Sequence, residues 1–145
     1  RKVDIADLNK NSRKKLKFDF LFIDTQAAIR KTRLNEIMNI TDVVIVPSSD
    51  SYIDLVATKR FLYRIEKYNK NKIKILAVLN KIRFSNKIEE ILMKCEGVLK
   101  RKITAFFPMS KKFDIQMSLG STVLKSNYAQ VTLINEQLLN IINKF

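Results

Sequence analysis

The sequence predicts an α/β fold, a parallel sheet flanked by helices, and three observations carry that expectation. Four short apolar runs, FDFLFIDT (18–25), DVVIVP (42–47), IKILAVLN (73–80) and ITAFFP (103–108), are rich in Val, Ile and Phe without polar alternation, as strands buried on both faces are. Helical patterns lie between these runs. Only two glycines occur in 145 residues, and strands alternating with helices argue for βαβ units with right-handed crossovers, covered on both faces.

Taken in order, residues 1–17 (RKVDIADLNKNSRKKLK) form a polar, basic lead-in where only Val3, Ile5, Leu8 and Leu16 support a short helix. The folded portion is expected over 18–145. Arg1 in place of a Met is what a chain entered partway through would show. The first apolar run ends at Asp24, and a helix-sized gap separates it from the second. The second and fourth end in Pro47 and Pro108, which cannot donate to a ladder. Ser51 with Asp54 three residues later resembles a capping box opening a helix of about 17 residues, with Leu55, Leu62 and Ile65 on one face. Asn86 and Glu89 repeat that logic before Ile88, Ile91 and Leu92. A closing helix from about Tyr128 places Val131, Ile134, Leu138 and Ile141 at spacings of three and four.

Composition bounds the function. A hydrophobic content of 46% supports one core in a chain this long, and no composition shift asks for a second. No apolar run approaches the roughly 18 residues of a membrane span, and the basic lead-in lacks the apolar stretch of a signal peptide. The expectation is a cytoplasmic protein without membrane contact. The single cysteine, Cys95, and the absence of histidine exclude an internal disulfide and disfavour a structural zinc site. The net charge of +14 suggests a polyanionic partner, since Lys and Arg facing phosphates release condensed counterions. AT-rich coding, which enriches Lys, Asn and Ile, is the competing source of that charge.

In an open parallel sheet, ligands bind beyond the carboxyl ends of the strands, where helix N-termini point partial positive charge at anions. The residues that break the apolar runs are therefore the candidates: Asp24, Pro47 to Ser51, Asn80 and Pro108. Asp24 after four apolar residues sits where a Walker B aspartate holds Mg²⁺ through water. A strand-end Asp capping the next turn is the other reading.

The order of FDFLFIDT, TDVVIVPSSDSYIDL, KILAVLNK and ITAFFPMSKKFDIQMSLGSTVLKS resembles the second half of the ParA/MinD family of partition ATPases, deviant-Walker P-loop NTPases with a Rossmann-like fold. That family has a YDFIIIDTPP strand, an ADxVIIPV strand with a helix-starting loop, and an IPRNVRLSEAPSHGKPV stretch. FPMSKKFDIQMSLGSTV fits the last without a gap, with Pro108, Lys112 and Gly120 on the family's Pro, Arg and Gly. The PSSDSYIDL segment looks most like the small plasmid-encoded, Soj- and ParF-like branch. The resemblance runs from Phe18 to about Phe145.

What the resemblance implies is an ATP- and Mg²⁺-dependent homodimer that binds DNA without sequence preference, answers a ParB-like adaptor and positions plasmid or chromosome cargo at the nucleoid. It assigns Asp24 to the magnesium side, Asn80 to a base contact, and Pro108 with Met109 to the wall beside adenine. Asn80 as a turn former and Pro108 as a strand terminator are the structural alternatives. Arg83, Lys87, Lys111 and Lys112 occupy places comparable to the family's DNA-contacting basic residues, with a solvated face as the alternative. Lys100, Arg101 and Lys102 form a weaker cluster at the opposite end of the sheet, and Arg13 to Lys17 read as a linker. The sequence departs from the family in two places. Its phosphate loop, KGGxGK(S/T), has no counterpart, since residues 1–17 contain no glycine, so this chain is not expected to hydrolyse ATP by itself. Gln26 and Ala27 replace the Pro-Pro after Asp-Thr. A truncated, non-catalytic DNA- or partner-binding module and a decayed gene product are the alternatives. In the family the phosphate-loop strand lies inside the sheet, and its loss leaves strand edges unpaired.

Overall fold

A computed structural model describes residues 20–26, 29–69, 73–83, 87–109, 115, 118 and 129–144. Within them the elements run α1 (Lys31–Ile40), β1 (Val43–Ser48), α2 (Tyr52–Tyr68), β2 (Lys74–Ile82), α3 (Ile88–Leu99), β3 (Ile103–Pro108) and α4 (Ala129–Ile142). The strands form one sheet in the order β1-β2-β3, and both pairings are parallel. The expected α/β class is the observed one, with α2 and α3 as the connections between neighbouring parallel strands.

Successive strand residues point to opposite faces, which divides the core in two. Ile75, Ala77 and Leu79 of β2 pack with Leu34 and Met38 of α1, Leu55, Leu62 and Ile65 of α2, and Cys95 and Leu99 of α3. Leu76 and Val78 face the other way and meet Ala105 of β3 and Ile141 of α4. Three helices thus cover one face and one helix covers part of the other. The buried stripe of α2 is the expected one, with Leu55, Leu62 and Ile65 at 4%, 3% and 0% exposure.

Three expectations need correction. The apolar run at 18–25 forms no strand over its described residues. Phe20, Leu21 and Phe22 are exposed, and Phe18 and Asp19 lie outside the described residues. A strand exists only through its ladder, and the ladders among the described residues end at β1. The capping box at Ser51 does not form either. Ser51 makes no side-chain cap bond; its N–H donates to Ser49 Oγ at 3.1 Å, and the Ser49 hydroxyl donates to Asp54 Oδ2. Ser49 thereby accepts the Ser51 N–H that a capping box would give to the Asp54 carboxylate. The pair Asn86 and Glu89 cannot be placed, because Asn86 lies outside the described residues. Finally, β2 does not stop at Asn80 but runs on to Ile82 through a bulge.

The amino end of the sheet is tied by charge. Lys100 ends α3 in the left-handed conformation, φ 55°, where glycine is usual, and its N–H donates to Glu96 O at 2.8 Å. The Glu96 carboxylate accepts Lys102 Nζ at 2.8 Å and the Ile103 N–H at 2.9 Å. These bonds, the lysine first, hold it below the usual carboxylate range. Arg101 donates to Ile75 O at 3.1 Å and pairs with Glu66. Arg101 and Lys102 are therefore occupied in joining α2, α3 and the strand starts.

The two margins of the sheet differ. At β3, the buried Gln137 of α4 accepts the Phe106 N–H at 3.1 Å. At β1, no strand among the described residues pairs with the side away from β2. Ile45 there is 38% exposed and Pro47 is exposed. Cys95 lies deep in the larger core at 2% exposure; desolvation first, and then the charge of Asp50, push its thiol pKa up.

Candidate functional site

The carboxyl ends of the three strands carry the polar chemistry. β1 ends in Ser48, which is buried. Its hydroxyl donates to Ser49 O at 3.1 Å and accepts the Thr58 hydroxyl at 3.0 Å, joining the end of the strand to the second turn of α2. With Ser49 bound to Asp54, the hydroxyls of Ser48 and Ser49 tie the end of β1 to the first two turns of α2. The serine-rich sequence was the available signal for this network, but the choice of partners was not.

At the end of β2, Leu79 aligns with Phe106 and Ile82 with Pro108. Three steps along β2 thus match two along β3, which places one extra residue in the Asn80–Lys81 stretch. Lys81 absorbs the mismatch with φ 58°, a left-handed conformation uncommon for a residue with a Cβ. Asn80 Oδ1 accepts the Lys81 N–H at 2.9 Å, and Asn80 itself is exposed. That bond leaves the amide NH₂ of Asn80 outside the turn it closes. The Met109 N–H donates to Ile82 O at 2.7 Å, which holds the turn after β3 against the end of β2. Pro108 is buried and Met109 is 57% exposed. Asn80, Pro108 and Met109 therefore come together in one corner.

The other sequence candidates are more dispersed. Arg83 follows β2 directly and is exposed, and Lys87 is exposed at the start of α3. Lys111, Lys112 and Gly120 lie outside the described residues. Asp24 is exposed in the segment 20–26, which has no regular structure. Among the described residues no group of three Cys, Asp or Glu side chains converges as a metal site would. The one described glycine, Gly97, sits within α3, so no described loop offers the run of open backbone N–H groups that cradles phosphates.

A solved structure shares this arrangement of strands and helices. The MinD cell division protein of Aquifex aeolicus matches with a TM-score of 0.75 at 15% sequence identity, over 97% of this chain. The fold is MinD-like. The chain spans 61% of the MinD chain it matches. By sequence it matches no protein-family model and no curated protein. The likeness to the ParA/MinD family expected from the motif order is thus met at the level of fold. Among the described residues no helix is long and apolar enough to cross a membrane.

Proposed function

We propose that residues 18–145 are the C-terminal portion of a ParA-like ATPase domain and that residues 1–17 are a basic lead-in to it. A MinD-like fold over 97% of a chain that spans 61% of MinD carries this reading. The open side of β1 supports it, because a parallel strand with apolar residues on both faces is built to have two neighbours. In the whole protein, ATP and Mg²⁺ drive dimerisation, the dimer binds DNA without reading its sequence, and a ParB-like adaptor stimulates turnover to position plasmid or chromosome cargo.

Within that reading Asn80 contacts the base, and Pro108 with Met109 form the wall beside it. Asp24 stands on the magnesium side through water. Arg83, Lys87, Lys111 and Lys112 face DNA phosphates as point charges with no base-reading group, which gives sequence-independent, salt-dependent binding. Polypeptide beyond these residues supplies the phosphate loop, so no hydrolytic step belongs to this chain alone.

The test is the intact mass and N-terminal sequence of the native polypeptide in its source cell. A longer chain with a glycine-rich phosphate loop upstream of Arg1 is the expected result. A native chain beginning at Arg1 overturns the ATP-driven reading and leaves a nucleotide-free binding module.

A further inference from the structure

We propose that the seam between the start of α1 and the second half of α2 is a nucleic-acid backbone contact surface, separate from the Arg83–Lys87 corner. Two contacts bring these segments together. Arg64 Nη2 donates to Ile29 O at 2.9 Å, and Lys31 Nζ lies 5.9 Å from the centroid of the Tyr68 ring. On α2, Arg60, Tyr63 and Lys67 recur at spacings of three and four, on the side away from the buried Leu55, Leu62 and Ile65. All three are exposed, as are Arg30 and Lys31.

The cations of this seam are unopposed among the described residues. Glu66, the α2 carboxylate nearest to them in sequence, is taken by Arg101. On α1, Glu36 pairs with Arg33 at 3.0 Å. Asp54 stands at the far end of α2, held by the Ser49 hydroxyl. Lys67 Nζ sits 4.5 Å from the Tyr63 ring centroid, and Lys31 is held over Tyr68 in the same way. The aromatic faces thereby restrain both ammonium groups, so less rotamer freedom is lost on meeting a phosphate.

Three features select nucleic acid. Arg60 and Lys67 are separated by about 10 Å along the helix axis, about three nucleotide steps of one strand. Tyr63 between them adds a hydroxyl, a group that commonly donates to phosphate oxygens. A membrane surface would need an apolar helix face to insert, and that face of α2 is already spent on the core.

The test is fluorescence anisotropy of the chain with a mixed-sequence duplex of about 20 base pairs, between about 50 and 200 mM salt. The variant K31Q/R60Q/K67Q should weaken binding and lower the slope of log K against log salt by about 2.7, about 0.9 for each lost phosphate contact. R60E/K67E should weaken it further. K94Q removes a cation that pairs with Glu90 on α3 and should leave the slope unchanged. Far-UV circular dichroism and the thermal midpoint of each variant should match the parent, since the changed side chains are exposed. A slope in the triple variant equal to that of the parent overturns the proposal. So does a parent chain that binds polyglutamate but ignores the duplex, which would make the seam a site for an acidic protein. R83Q/K87Q probes the carboxyl-end surface separately, so either surface can fail without the other.

Discussion

The two margins of the sheet are finished differently. At β3 a side chain from α4 satisfies a strand N–H, and the helix lies over the adjoining face. At β1 no described strand pairs with the side away from β2, and Ile45 remains 38% exposed. A protein that shields one margin with a buried glutamine has the means to shield both. The contrast marks β3 as a place where the described sheet is closed, and β1 as a place shaped to continue.

The strand both margins share should be the least tolerant. Leu79 of β2 is 0% exposed, and Leu79→Ala should lower stability by about 2–5 kcal/mol through the lost transfer energy and the cavity left behind. Urea unfolding followed by circular dichroism measures this, and a loss below about 1 kcal/mol would mean that the margins are held independently of the centre. Next comes the closed margin. Gln137→Leu leaves the Phe106 N–H without its acceptor and should cost about 1–3 kcal/mol, with faster self-association by light scattering as that margin opens. Unchanged stability would show that the glutamine bond does not close β3. The smallest effect belongs to the open margin. Ile45→Lys should cost under about 1 kcal/mol in the 145-residue chain and should reduce association. A loss as large as that at Leu79 would break the contrast, because it would show the β1 side already covered.

The margins also show what a sequence can disclose. Three of the four apolar runs became strands because each carries its own β-forming residues and has a neighbour. The run at 18–25 is as apolar as the others, but strand formation belongs to a pair of segments and not to one. Helix α1 was legible only as a gap, although Leu34, Ile37 and Met38 already show the spacing of a buried helical face. Gln137 hid inside the stripe of Ile134, Leu138 and Ile141, where a polar residue on an apolar face was the signal that a buried bond was waiting. At the candidate site, Asn80 and Pro108 were singled out because they interrupt apolar runs at the carboxyl end of a parallel sheet, and Met109 by the family resemblance alone; the structure brings the three into one corner. The bulge at Lys81 was not, because it arises from the unequal advance of β2 and β3, which no single segment records. The pairing of Ser49 with Asp54 was missed because two nearby serines offer the same hydroxyl within reach of one carboxylate.

Cys95 gives the molecule a clock. It is the only thiol in the chain, it lies 2% exposed between α3 and the sheet, and burial raises its pKa, so the native state presents almost no reactive thiolate. A disulfide reagent in solution can label it only during the intervals when that core parts. The labelling rate, read against reagent concentration, therefore counts how often the larger face of the sheet opens and how long it stays open, in the unaltered protein and at a single known atom.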